Sequence, residues 1–151
     1  MPTAEEQLAV FISRYLPEIA DQFEQAHLRV RALLPGAVEM VYDNYNALVI
    51  GFSPNTLPSH AILSIASYPR YVTLFIMGGE SIPDPTGRLE GTAKTVRGIR
   101  LSGPETLDEP DVVAIINWAV EKSVSPFETE QPNRLIIQSI SAKQRPRLPS
   151  K

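Results

Sequence analysis

At Pro35-Gly36 the hydrophobic pattern of this chain changes period, and that change limits the fold to helices followed by strands. Before it, Leu8, Phe11, Ile12 and Tyr15 recur at three- and four-residue steps, which predicts a helix over residues 4–16. Pro17 suits the first turn of a second helix, whose stripe is Ile19, Phe23, His27, Val30 and Leu34. Pro35-Gly36 ends it. After it the period is two. Val38, Met40 and Tyr42 alternate with Glu39 and Asp43, and Leu48, Ile50 and Phe52 alternate again beyond a short polar turn. Residues 60–68 and 71–77 read as two more strands, joined by the tight turn Tyr68-Pro69-Arg70-Tyr71 and therefore antiparallel. The stretch YVTLFIM is apolar on both faces, as in a central, covered strand. Ile99 and Leu101 mark a short fifth strand. Asp108 reads as the N-cap of a helix running to about Ser123, with Pro110 in its first turn. Arg134 to Ile140 reads as a sixth strand.

Helices, then consecutive strands, then a helix define an α+β domain. The simplest arrangement is a single antiparallel sheet of five to six strands with the N-terminal helices and one C-terminal helix packed on it. Residues 1–141 form the expected domain, and residues 142–151, with Lys143, Arg145, Arg147 and Lys151, a flexible basic tail.

Composition removes several chemistries. The chain has no cysteine, which excludes disulfides, thiolate nucleophiles and Cys-ligated metals. Two histidines, His27 and His60, are few for catalytic zinc. With 17 Asp and Glu, hard oxygen-ligated ions stay open. A net charge of -3 argues against a nucleic-acid partner. No apolar run is long enough for a membrane helix, and the start MPTAEEQLAV lacks the basic opening of a secretory signal, so a cytoplasmic location is expected.

The long connection from Phe75 to Leu101 is the expected seat of function. It holds five of the eight glycines, the Pro83-Asp84-Pro85 turn and four basic side chains, Arg88, Lys94, Arg97 and Arg100. Its text from Gly79 to Leu101 resembles the signature of the YdhG-like family, whose function is undefined. Asp84-Pro85, Leu89-Glu90-Gly91, Lys94 and Arg97 fill the family's positions. Leu33-Leu34-Pro35 with Glu39-Met40-Val41-Tyr42, and Ile115-Ile116-Asn117-Trp118-Ala119, extend the resemblance over residues 8–123. The family's glycine before the lysine is Ala93 here, and Asp43-Asn44-Tyr45 stands where relatives often have Gly then Pro. The resemblance implies a bacterial, cytoplasmic α+β sheet protein. For some relatives it implies a frataxin-like iron chaperone, a role carried by acidic surface residues.

Arginine forks among glycines suit a small anion, which makes Arg88, Lys94 and Arg97, with Tyr42, the candidate ligand-binding residues. Asp84, Glu90 and Gly91 are the candidates for ordering the loop. The structural alternative is that the cations pair with Asp84, Glu80 or Glu90, or cap loop carbonyls. Arg97 shares strand parity with Ile99 and Leu101 and should point inward, with Asp84 and Glu90 as first partners. Gly91-Thr92-Ala93-Lys94-Thr95 fails as a phosphate loop, because Ala93 and Arg88 replace its required glycines. Tyr42, Tyr45, Tyr68, Tyr71 and Trp118 suit either a small apolar pocket or core and rim packing. His27 reads as a satisfied or interface histidine.

The expected function is a non-catalytic binding protein for a small anionic ligand or a protein partner through loop 78–100, with no cofactor. An exposed strand or YVTLFIM offers a surface for a homodimer. The alternative is a weak iron chaperone with Asp21 and Glu24, one helical turn apart, as metal ligands. An enzyme on a phosphorylated or carboxylated substrate would need Glu90, Asp84 or Tyr42 as its acid or base.

Overall fold

The structure, a computed structural model, describes residues 1–150. Helix α1 spans Ala4–Ile12 and opens on a capping box: the Thr3 hydroxyl accepts from the Glu6 amide at 3.1 Å, and the Glu6 carboxylate accepts from the Thr3 amide at 3.3 Å. It stops four residues short of the expected end. Tyr15 stays buried nonetheless, donating to the Ser67 carbonyl at 2.9 Å and accepting from the Leu48 amide at 3.1 Å. Helix α2, Pro17–Leu33, starts on its proline as expected.

Gly36 follows with φ +82°. A Cβ built there would lie 2.1 Å from the Glu128 carbonyl oxygen, so both the backbone angle and the space require glycine. Gly36→Ala is therefore expected to destabilise by about 2 kcal/mol or more, read as a lowered Tm. Gly78→Ala should cost less. Gly78 has φ +73° but nothing within 4 Å of a new Cβ.

Six strands form one sheet: β1 Val38–Asp43, β2 Leu48–Ser53, β3 Leu63–Ser67, β4 Val72–Met77, β5 Val96–Arg100 and β6 Arg134–Ile140. Their spatial order is β5-β4-β3-β2-β1-β6. The first five pair antiparallel, as expected, but β6 lies parallel to β1, so the sheet is mixed. The cause is where the chain returns after helix α3, Pro110–Glu121. Asn133 accepts from the Gly36 amide and donates to the Leu34 carbonyl, and the Arg134 amide donates to the Ala37 carbonyl. The strand thus begins beside the start of β1 and must run the same way. The N-cap of α3 is Glu109, without a side-chain cap bond, while Asp108 closes a 3₁₀ turn before it.

All three helices pack on one face. Their buried residues, among them Phe11, Phe23, Val30, Val112 and Ile116, share one core with Val41, Ile50, Ile65, Leu74 and Ile99. The registers place Glu39 and Asp43 on this same face, and the acids are 0% and 1% exposed. The alternating apolar set Val38, Met40 and Tyr42 lies on the opposite face, with Val49, Ser64, Ala66, Thr73, Phe75, Gly98 and Arg100. None of that set belongs to the core that the helices build. YVTLFIM is thus covered by helices on one side only, and β4 lies next to the edge strand β5. Among the described residues no helix is long and apolar enough to cross a membrane.

Candidate functional site

The long loop is held by its own backbone and by α3. Asp84 accepts from the amides of Arg88 and Leu89, both at 2.8 Å, closing a turn in which Gly87 has φ +67°. The Glu90 amide donates to Gly98 at 2.9 Å and the Gly98 amide donates back at 2.8 Å, so the loop adds one bridge outside β5. Gly91 then turns away with φ +125°. Ala93 needs no such angle, since no non-glycine residue described has positive φ.

The candidate cations do not converge. Arg88 pairs with Asp111 at 2.8 Å and with Glu109, both at the start of α3. The hydrogen bond from Arg88, with a second from the Thr86 hydroxyl at 2.9 Å, holds the Asp111 carboxyl at about 2, below its ordinary 3.8. The Arg88 side chain therefore ties the loop to α3, and its ion-pair partners are neither Asp84 nor Glu90. Arg97 has the expected inward parity, opposite Ile76, but it caps the carbonyls of Ala93 and, at 2.9 Å, Val96. Its side chain lies over Gly79, where a Cβ would come within 2.6 Å of it. Lys94 is exposed. Tyr42 shares a row of cross-strand neighbours with Arg100 (Tyr42, Val49, Ala66, Thr73, Arg100) but stands four strand spacings away, about 19 Å. Asp21 and Glu24 are exposed on α2, and no group of three acidic or histidine side chains suited to a metal occurs among the described residues.

The fourth loop cation is placed differently. Arg100 projects onto the sheet face opposite the helices, with its guanidinium carbon 3.7 Å from the Tyr71 ring centroid. Tyr71 in turn stacks on Tyr68, with centroids 4.9 Å apart and planes 25° from parallel. This stack walls a hollow of about 350 Å³ lined by Thr73, Phe75, Glu90, Gly91 and Gly98. Glycine at 98 keeps it open, because a Cβ there would meet the Phe75 ring at 3.2 Å and the Thr73 methyl at 3.3 Å. Among the described residues Arg100 has no carboxylate or carbonyl partner. Sequence reasoning set Arg100 among the loop cations and Tyr68 and Tyr71 among the pocket tyrosines, but nothing in the text joined them. The joining signal is the strand register, Thr73 opposite Arg100.

Two buried charge clusters on the helix face also went unread. Glu39 accepts from His27 at 2.7 Å, from Arg31 at 2.7 and 2.9 Å, and from Asn133 at 3.0 Å. Burial pushes its carboxyl up, but the bonds from Arg31, His27 and Asn133 outweigh it and hold the group at about 2. His27 is thus a satisfied histidine. At the other end of β1, Asp43 lies between Arg147 at 2.9 Å and Arg14 at 3.2 Å. Burial pushes the adjacent Tyr15 phenol up. The acid of each cluster is met by protein partners, although the buried Arg147 Nε has none among the described residues; both clusters hold the fold together, and the Arg100 hollow is taken as the candidate site.

The fold and site define an α+β protein whose sheet has helices on one face only, with an aromatic and arginine-lined hollow on the other. Comparison of the chain with protein-family models, curated proteins and solved structures returned no match.

Proposed function

We propose that this is a YdhG-like, cytoplasmic, non-catalytic binding protein whose ligand is small and anionic, and that Arg100 is the residue that holds the anion. The observation carrying this reading is the unpaired guanidinium stacked on Tyr71 at the edge of the hollow. A guanidinium held on a ring face with its N–H donors unspent can bind a carboxylate or phosphate bidentately. Arg88 and Arg97 serve the loop and are not ligand contacts in this reading. Iron binding through Asp21 and Glu24 has less support, because two exposed carboxylates without a third ligand hold a cation weakly.

Isothermal titration and thermal shift against a panel of small carboxylates and phosphates test it. Arg100→Gln should abolish the response while leaving the Tm of the free protein within ~1 °C of wild type, since Arg100 is exposed. Arg88→Gln should lower the Tm by a few degrees and keep the response. Binding that survives Arg100→Gln and is lost in a folded Lys94→Ala variant would move the site onto the loop tip.

A further inference from the structure

We infer that the ligand is a zwitterion with an apolar, ring-bearing group, an aromatic amino acid in chemical class, its carboxylate on Arg100 and its ammonium on Glu90. This rests on the reading that Arg100 binds an anion, and adds to it the second charge and the shape.

The argument starts from register. Glu90 bridges Gly98, so its side chain leaves the backbone on the face to which Gly98 belongs. Arg100 is two residues along β5 and shares that face. The two side chains are diagonal cross-strand neighbours, about 7–8 Å apart at the backbone and within mutual reach. They nevertheless form no ion pair: Arg100 lies on Tyr71, and Glu90 is exposed on the rim of the hollow. Among the described residues, then, one unpaired cation and one unpaired carboxylate border the same hollow.

That charge pair discriminates between ligand classes. A simple anion is attracted by Arg100 and repelled by Glu90 across nearly the same distance, and a simple amine meets the reverse. A molecule carrying both charges on adjacent atoms gains at both ends. The floor between them suits an apolar body. Thr73 turns its methyl towards Gly98, and the Phe75 ring lies against Gly98. Phe75 and, just before β4, Tyr71 stand on either side of Thr73, leaving a gap over a small residue where a ring can rest. Thr73 is only 7% exposed and forms part of the floor of the hollow.

NMR titration of the full chain with phenylalanine, 3-phenylpropionate, phenethylamine and glycine tests this. Phenylalanine should bind about tenfold more tightly than either singly charged analogue, and more tightly than glycine. Glu90→Gln, which keeps the backbone bridge, should bring phenylalanine down to the level of 3-phenylpropionate. Arg100→Gln should weaken both. If 3-phenylpropionate binds wild type as well as phenylalanine does, or if Glu90→Gln leaves their ratio unchanged, the zwitterion is overturned while the anion site at Arg100 stands. If none of the four perturbs Tyr71, Phe75 or Gly98 in a folded protein, the zwitterion is overturned, and the carboxylate and phosphate panel alone decides the anion site at Arg100.

Discussion

Arg147→Ala is expected to destabilise the protein by about 3 kcal/mol, at the lower end of what breaking a buried ion pair costs. For a chain of this size that is a fall in Tm of roughly 6–12 °C. Arg147 is 4% exposed and Asp43 1%, so the substitution leaves a carboxylate in the interior with one partner removed. The remaining partner, Arg14, is 46% exposed and holds Asp43 more weakly. Arg147 also donates to the Asn44 carbonyl at 2.6 Å, so the turn between β1 and β2 loosens with it. The neighbouring substitution Lys143→Ala, at an exposed position, should change the Tm by about 1 °C or less. Equal melting of the Arg147→Ala variant and wild type would show that residues 142–150 are the free tail that composition suggests.

The second large effect is in acid. Glu39 has its folded pKa at about 2, below the ordinary 4.5, so it releases its proton more readily in the folded state. A depressed carboxylate stabilises the fold above its unfolded pKa, and that stabilisation is lost as pH falls through 4.5 towards 2. The gap amounts to about 3 kcal/mol at neutral pH. Urea denaturation from pH 6 to pH 2 should show this loss in wild type. Glu39→Gln should flatten the curve in that window and start from a lower stability at pH 7. Asp111 is also held at about 2, but at the surface. Its part should shrink in high salt, and the Glu39 part should persist. A wild-type curve that Glu39→Gln does not flatten would mean the buried cluster contributes nothing to acid stability.

The two predictions come from the feature least legible in the text. Glu39 and Asp43 alternate with Val38, Met40 and Tyr42, and in a half-buried strand the apolar set would ordinarily face the core. Here the helices face the set with the acids, and each acid is closed by an arginine from α2, the segment after α1, or the C-terminal segment. Alternation sets the period of a strand but not which face a helix will cover, because that depends on partners arriving from 8 to 104 residues away. The same gap explains Arg97, whose inward parity was readable and whose carbonyl partners were not.

The α+β class, the place of each helix and strand within a few residues, the antiparallel run from β1 to β5 and the long loop as the unusual connection were all legible in the amino-acid pattern. Local periodicity, prolines and glycines suffice for that, because each acts on its own few residues. The parallel pairing of β6 with β1 comes from long-range packing, since Asn133 at the Gly36 corner sets where that strand begins. Tertiary contacts alone separated Arg88 and Arg97, bound into the loop, from Arg100, left unpaired over Tyr71. A charged side chain's role follows from which partner is within about 4 Å, and that distance is set by strand register and helix packing, neither of which is local in the chain.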